Sequence, residues 1–301
     1  MDELRFIPFM TKTLLLPLLF LALPIISFAQ KGKTIESLSF KSKLVDYPVN
    51  YSVYLPADYQ TSSRSYPVVY LLHGFSDDET GWIQFGEAAQ IADKGIAEGD
   101  FPACILIIPD GKVTWYCNSA DGKNRWSDMF TQEFIPYIEK EYRIRAKKEF
   151  RAIGGLSMGG YGSLSLAMRN PDLFSSVIAL SSAVFSDEEI TQQPDGQYDG
   201  YFKSIYGKNL KGDARLSETW KATNPIHLIH TVAAEKLKSI RFYIDCGDDD
   251  FLYKGNSLLH IGMRDLSIAH EYRVRNGGHS WSYWRTGLYD GLKFTGEKFR
   301  R

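Results

Sequence analysis

Short apolar runs alternate with longer amphipathic stretches over most of the chain. Six short runs are rich in β-branched, aromatic and other strand-forming residues, and we predict that each is a strand buried on both faces of a sheet. They lie at 68–72, 103–108, 150–153, 176–180, 240–245 and 270–274. Two earlier segments, at 37–44 and 49–55, are also predicted to be strands, and the alternation in the second is typical of an antiparallel edge strand.

Helical spacing of apolar residues fills the intervals between these runs. The predicted helices lie at 83–98, 128–142, 158–169, 225–238, 258–267 and 281–299. Strands that alternate with helices predict an α/β fold, with a mostly parallel central sheet and helices on both of its faces. The segment 186–220, rich in Asp, Gln, Gly and Lys, interrupts the alternation, and we predict a cap insertion there. A plain surface excursion is the alternative.

The first residues form a separate segment. Lys12 precedes an almost wholly apolar stretch at 13–28, and Ser27-Phe28-Ala29 resembles a cleavage site ahead of Gln30. This pattern predicts a signal peptide over 1–29, with Met10 as an alternative start and an uncleaved anchor as an alternative role. We therefore expect a periplasmic or secreted domain over 30–301 that has no membrane contact after cleavage.

The composition excludes some functions but does not change the predicted fold. The 301 residues are 24% charged with a formal net charge of -1, and no cluster of Lys and Arg is large enough to bind nucleic acid. Cys104 and Cys246 lie in apolar strand-like runs at 103–108 and 240–246, so we expect them to be reduced core residues, although a disulfide with Cys117 remains open. No C-x-x-C spacing is present, and we predict neither a metal nor another cofactor.

The segment Gly155-Leu156-Ser157-Met158-Gly159 lies between a predicted strand and a predicted helix. A sharp strand-to-helix turn lifts a serine hydroxyl clear of the backbone, and it requires nearly side-chain-free positions two residues before and after the serine. A glycine-rich turn with a passive serine is the alternative. The flanking strand and helix favour a nucleophilic Ser157.

The predicted strand at 68–72 is followed by His73-Gly74-Phe75. Acyl transfer places negative charge on the former carbonyl oxygen, and two fixed backbone N–H groups stabilise it by a few kcal/mol. We predict that Phe75 and Met158 supply these N–H groups. His73 is predicted to fix the loop by hydrogen bonding rather than to act as a base.

Two further loops after predicted strands carry an acid and a base. Asp248, Asp249 and Asp250 follow the run at 240–245, and we predict Asp250 as the acid because Phe251-Leu252 would bury it. Asp249 is the second choice, and a calcium site is less favoured because the spacing lacks the alternation of a metal loop. His279 follows two glycines after the last strand and is the predicted base.

These motifs together resemble the esterase D-like branch of α/β-hydrolases, which includes the feruloyl and acetylxylan esterases of carbohydrate esterase family one. The order Ser157, Asp250, His279 is the order of that fold. In the family, the third residue after the glycine of the acid loop is the triad acid, which corresponds to Asp250. The segments that carry the resemblance are Leu72-His73-Gly74, Pro109-Asp110-Gly111, Trp115-Tyr116, Asn118-Ser119, Gly155 to Gly160, Cys246-Gly247, Asp250 to Tyr253, Gly278-His279, Trp281 and Trp284.

The resemblance implies a serine esterase of the α/β-hydrolase fold, and the leader suggests feruloyl or acetyl esters of plant polysaccharides as substrates. Trp115, Tyr116 and Trp281 are candidates for an aromatic substrate platform, although large aromatic residues are more often core. The family also includes S-formylglutathione hydrolases and mycolyltransferases. A general short-chain esterase, a glutathione-thioester hydrolase and an acyltransferase are therefore alternatives, and a catalytically idle carbohydrate-binding protein is another.

Overall fold

The computed structural model describes residues 1–3 and 31–300, so the predicted leader at 1–29 lies almost wholly outside the described residues. Eight strands form one sheet in the spatial order β1-β2-β4-β3-β5-β6-β7-β8. The strands are β1 (Lys33–Phe40), β2 (Val49–Leu55), β3 (Val68–Leu72), β4 (Ile105–Pro109), β5 (Arg151–Leu156), β6 (Ser176–Leu180), β7 (Arg241–Gly247) and β8 (His270–Arg275).

The sheet is mostly parallel, as predicted. Strands β3 to β8 run parallel to their neighbours, whereas β2 pairs antiparallel with both β1 and β4. The prediction of β2 as an edge strand is therefore wrong. Six of its seven residues, all except Asn50, are buried between two neighbouring strands, so polar alternation was a weak signal there. The edge strands are β1 and β8, and both are mostly half-buried or exposed. The prediction that the run at 270–274 is buried on both faces is therefore wrong as well, because β8 has a neighbour on one side only.

Helices cover both faces of the sheet, which confirms the predicted α/β architecture. They are α1 (Gly81–Gln84), α2 (Ala88–Ala97), α3 (Trp126–Met129), α4 (Ile135–Glu141), α5 (Met158–Arg169), α6 (Asp187–Gln192), α7 (Asp195–Phe202), α8 (Glu218–Thr223), α9 (Pro225–Thr231), α10 (Ala234–Leu237), α11 (Tyr253–Asp265) and α12 (Trp281–Phe299). Among the helices within the described ranges, none has the length and apolar character of a membrane span.

Three predicted helices are interrupted in the structure. Glu87 has a left-handed backbone (φ 53°) and separates α1 from α2, whereas Val232 is extended and separates α9 from α10. A π-helical turn at Phe130–Phe134 joins α3 to α4. Spacing of apolar residues does not reveal such breaks, because the apolar face continues across them.

Alternate residues of the central strands supply two hydrophobic cores. Tyr70 and Ile153 point into the core on one face, whereas Leu71 and Ile178 point into the core packed under α12 on the other. Parallel strands buried in this way present their carboxyl ends at one edge, where loops can carry polar chemistry. The loops after β3, β5, β6, β7 and β8 meet there.

Candidate active site

Ser157 occupies a tight turn between β5 and α5. Its backbone has φ 53° and ψ −117°, an unfavourable conformation for a residue with a side chain. A Cβ atom at Gly155 would lie 2.7 Å from the carbonyl oxygen of Leu72, and one at Gly159 would lie 2.2 Å from the same oxygen. Both glycines are therefore required by backbone packing. The N–H of Ser157 donates to Leu180 of β6 (2.9 Å), which anchors the turn.

The three predicted triad side chains lie within hydrogen-bond distance. Nε2 of His279 is 3.0 Å from Oγ of Ser157. Nδ1 of the same ring is 3.0 Å from Oδ2 and 3.2 Å from Oδ1 of Asp250. A carboxylate at Nδ1 holds the imidazole with its lone pair on Nε2, so the ring can accept the serine proton.

The environment of Asp250 keeps its carboxylate charged. The residue is 1% exposed, and burial by itself would raise the pKa of its carboxyl group. Hydrogen bonds from His279, from the N–H of Leu252 and from Ser181 outweigh burial, so the pKa of Asp250 is lowered. An ionised Asp250 can stabilise the imidazolium that forms during proton transfer.

The second choice for the acid, Asp249, is exposed, and the hydrogen bonds of His279 to a carboxylate go to Asp250 instead. Oδ1 of Asp248 accepts the N–H of Gly277 (2.9 Å), which joins the acid loop to the base loop. Within residues 31–300, no group of three or more His, Cys, Asp or Glu side chains is arranged to hold a metal. Asp248 therefore binds the backbone of the base loop, whereas Asp250 binds the ring of His279.

A buried ion pair supports the base loop from beneath. Asp245 of β7 is fully buried and accepts hydrogen bonds from Arg275 (2.9 Å to Nε) and from the hydroxyls of Tyr243 and Tyr283. Arg275 ends β8, four residues before His279. The pair therefore fixes the point at which the base loop leaves the sheet.

Phe75 and Met158, the predicted oxyanion donors, line the same cavity as Ser157. Among the described residues, neither backbone N–H group has a hydrogen-bond partner. His73 fixes the Phe75 loop, since its Nε2 accepts the N–H of Gly111 (2.8 Å) and its Nδ1 bonds the carbonyl oxygen of Gly74 (2.8 Å). This is the hydrogen-bonding role predicted for His73.

The cavity has a volume of about 470 Å³ and opens beside Ser157. Loops after the strands form one side, and the segment at 186–220 contributes Gln193, Gln197 and Tyr201. That segment folds into α6, α7 and a short 3₁₀ turn at Gly212–Arg215. Three of its residues thus form part of the cavity wall, as expected for a cap insertion.

Two of the three predicted platform aromatics line the cavity, and one does not. Trp281 lines it, as does Trp115, although Trp115 is only 3% exposed. The prediction for Tyr116 is wrong: the ring is fully buried, and its hydroxyl donates to the carbonyl oxygen of His73 (2.8 Å). The ring of Tyr116 lies between Gly111 and Gly162, and it therefore packs the loop after β4 against α5.

Several cavity residues were not among the predicted site residues. Phe251 was expected to bury Asp250, but it is 68% exposed, and its ring centroid lies 4.7 Å from that of His279. Phe85 and the cap residue Tyr201 are further exposed aromatics at the cavity. Burial raises the pKa of Asp77, which also lines the cavity. In the sequence, the only sign that Phe251 lies at the cavity is its position directly after the acid, Asp250.

The three cysteines do not line the cavity. Cys104, Cys117 and Cys246 are buried and free, and burial raises the pKa of Cys104 and Cys246 to about 12. Thiols in such surroundings are unreactive hydrophobic residues. The structure contains no disulfide at Cys117.

The geometry can carry out acyl transfer. A hydroxyl in contact with an oriented imidazole, beside two N–H groups at one cavity, can attack a carbonyl carbon and stabilise the resulting oxyanion. The residues that supply these groups are Ser157, His279, Asp250, Phe75 and Met158.

Comparisons with known proteins agree with this geometry. Residues 42–295 match the family model Esterase, described as "Putative esterase". An acetyl esterase of Caldicellulosiruptor saccharolyticus is 26% identical over 259 residues, which cover 83% of this chain and 93% of that protein. An endo-1,4-beta-xylanase/feruloyl esterase of Xylanibacter ruminicola is 32% identical over 163 residues, which cover 52% of this chain and 22% of that longer protein.

A solved structure of a ferulic acid esterase superposes with a TM-score of 0.74 and 28% identity. The match covers 89% of this chain and all of that one. The family model covers well over half of the residues, and the resemblance inferred from the motifs is confirmed. The chain belongs to the Esterase family, a family of serine esterases with the esterase D-like α/β-hydrolase fold.

Proposed function

We propose that the protein hydrolyses feruloyl or acetyl esters of plant polysaccharides through Ser157, His279 and Asp250. The observation that carries the proposal is the contact of 3.0 Å between Nε2 of His279 and Oγ of Ser157. Phe75 and Met158 line the cavity at that contact, and among the described residues their backbone N–H groups have no hydrogen-bond partner.

The proposed reaction proceeds in two steps. His279 takes the proton of Ser157 as the hydroxyl oxygen attacks the ester carbon, and the N–H groups of Phe75 and Met158 stabilise the oxyanion. The imidazolium then donates its proton to the leaving alcohol. Water, deprotonated by His279, hydrolyses the acyl-enzyme and releases the acid.

The substrate class is supported by the relatives and by the cavity. The similar proteins include an acetyl esterase, a xylanase/feruloyl esterase and a ferulic acid esterase. The exposed rings of Phe85, Phe251 and Tyr201 around the cavity offer flat apolar surfaces to an aromatic acid or a sugar face. We also propose a periplasmic or secreted location, since the leader pattern at 1–29 matches a signal peptide.

Ser157→Ala tests the proposed nucleophile. We expect hydrolysis of p-nitrophenyl acetate to fall by roughly 10⁴-fold or more, because the attacking oxygen is removed. The melting temperature should stay close to that of the wild type, since the turn accommodates a smaller side chain. A fluorophosphonate probe should label the wild type but not the variant. Hydrolysis by the variant at the wild-type rate would disprove the assignment.

A separate measurement identifies the preferred ester and shows whether water or an alcohol receives the acyl group. Specificity constants for methyl ferulate, acetylated xylan, S-formylglutathione and short p-nitrophenyl esters, measured side by side, would rank the candidate acyl and alcohol groups. The proposal requires methyl ferulate or acetylated xylan to rank first. Transfer to an added alcohol in preference to water would instead identify an acyltransferase that uses the same triad.

A further inference from the structure

The active-site cavity carries one negatively charged side chain in a mostly apolar lining. Among the described residues that line it, Asp77 is the only carboxylate, and there is no Lys or Arg. Most of the other lining residues are apolar, including the rings of Phe85, Phe251 and Trp281. Apolar walls screen a charge less well than water does, so Asp77 acts on any charged group of a bound substrate.

The carboxylate of Asp77 is not neutralised by the residues around it. Its Oδ1 accepts the N–H of Asp78 (2.9 Å), whereas Oδ2 accepts no hydrogen bond from the described part of the chain. Oδ2 is not enclosed by the protein, so it can contact a ligand. Burial raises the pKa of Asp77, and no Lys or Arg of the described residues counteracts that effect. A cationic or neutral group is therefore a better neighbour for this carboxylate than an anionic group.

Contacts with the backbone hold Asp77 at the cavity. Its N–H donates to the carbonyl oxygen of Gly74 (3.3 Å), which ties the residue to the loop of the oxyanion donor Phe75. A Cβ atom at Gly81 would lie 2.1 Å from Oδ2 of Asp77, so the carboxylate packs directly against the backbone there. The charge is therefore in place before a substrate binds, and a side chain that is fixed in advance can discriminate between substrates with little ordering on binding.

We infer that Asp77 is a specificity-determining residue that selects esters by their charge: it favours cationic and neutral esters and disfavours anionic esters. The inference rests on the proposed function, because it requires the ester to be cleaved at Ser157. The cavity volume is about 470 Å³, so every part of a small bound ester lies within about one Debye length of the carboxylate. A glutathione thioester, which carries a net negative charge, is thereby disfavoured.

Asp77→Asn tests the inference, because asparagine keeps an oxygen for the N–H of Asp78 and removes only the charge. The substrates are three acetate esters of similar size: cationic acetylcholine, neutral 3,3-dimethylbutyl acetate and anionic 2-acetoxyethanesulfonate. The measured quantity is the ratio of kcat/KM for the cationic ester to kcat/KM for the anionic ester at low ionic strength. We expect this ratio to fall about ten-fold in the variant, whereas kcat/KM for the neutral ester should change less than about two-fold. Differences in leaving-group reactivity and cation–π attraction to the aromatic rings are the same in both proteins, so they cancel in the comparison.

Asp78→Asn is the matched control, because Asp78 is the exposed neighbour that does not line the cavity. An ester that is cleaved too slowly is measured as a competitive inhibitor of p-nitrophenyl acetate hydrolysis. Labelling by a fluorophosphonate probe verifies that each variant has folded, and Asp77→Ser provides a second uncharged variant if the amide disturbs the loop.

The outcomes separate this inference from the proposed function. An unchanged ratio in Asp77→Asn, or an equal fall in Asp78→Asn, overturns the inference. A fall that persists undiminished in about 0.5 M NaCl also overturns it, since salt screens the attraction of a carboxylate for a charged ester. In each of these cases, hydrolysis of p-nitrophenyl acetate that depends on Ser157 leaves the proposed esterase standing. Absence of Ser157-dependent hydrolysis of every ester overturns the proposed function itself.

Discussion

The strand-end loops and the cap meet at one cavity but are held in place by different means. At the strand ends, backbone geometry positions the chemistry: Ser157 is fixed by a turn that only glycines permit at Gly155 and Gly159. In the cap, side chains hold irregular backbone, and a single guanidinium from Arg215 binds several carbonyl oxygens. The triad is therefore tied to the sheet, whereas the cap depends on a few polar contacts.

We therefore expect the triad and oxyanion donors at the strand ends to set the rate of reaction and the cap to contribute to the choice of substrate. A change to the triad or to these donors should lower the rate for every ester, because all of them use the same attacking oxygen and oxyanion donors. A change in the cap should alter the choice between esters, because only part of the substrate touches it. Three substitutions test the comparison.

Asp250→Asn should have the largest effect. The amide cannot stabilise the imidazolium of His279 and favours the wrong tautomer, so we expect kcat for p-nitrophenyl acetate to fall about 10³- to 10⁴-fold. Steady-state kinetics at pH 7 to 8 measure this. Asp249→Asn is the matched control and should retain nearly full activity, since Asp249 is exposed. A larger loss in Asp249→Asn would reassign the acid.

Arg215→Leu should weaken the cap while leaving the triad in place. Loss of the guanidinium leaves buried carbonyl oxygens without partners, and we expect the free energy of unfolding to fall by about 1–3 kcal/mol. Proteolysis should become faster within 186–216, and KM for methyl ferulate should rise more than KM for p-nitrophenyl acetate. Urea denaturation and limited proteolysis measure these effects.

Lys211→Leu is the matched control for that substitution. Lys211 pairs with the same carboxylate, Asp195, but from solvent. Exposed pairs contribute at most about 1 kcal/mol, so its loss should change neither stability nor KM appreciably. Equal effects of the two substitutions would show that charge pairing, and not the buried hydrogen bonds of Arg215, holds the cap.

Asp187→Asn should have the smallest effect and should depend on pH. Burial would raise the pKa of Asp187, but hydrogen bonds from Trp220 and His227 outweigh it and lower the pKa. A lowered pKa in the folded state stabilises the fold above the unfolded pKa, and this contribution disappears as pH falls through the folded value. Wild type and variant should therefore differ by about 1–3 °C in Tm at pH 6 and converge below about pH 4. A difference that grows in acid would contradict this.

Much of the fold was predictable because its signals are local. Continuous apolar runs identified the parallel strands, although β1 begins at Lys33 rather than at residue 37. The break at Glu87 and the π-helical turn were not predictable, since both leave the apolar face intact. Burial of Asp250 was expected for the wrong reason: Leu252 is buried beside it, whereas Phe251 remains exposed over His279.

The sequence by itself determined the reactive groups and their order, because parallel strands bring the residues that follow them to one edge of the sheet. Ser157, Asp250 and His279 each follow a strand, so local pattern and topology were enough to bring them together. Only the tertiary structure decided which side chains face the cavity. Tyr116 turns into the core, where its hydroxyl donates to the carbonyl oxygen of His73, whereas Phe251 stays exposed beside the ring of His279. Both directions depend on residues that are distant in the sequence.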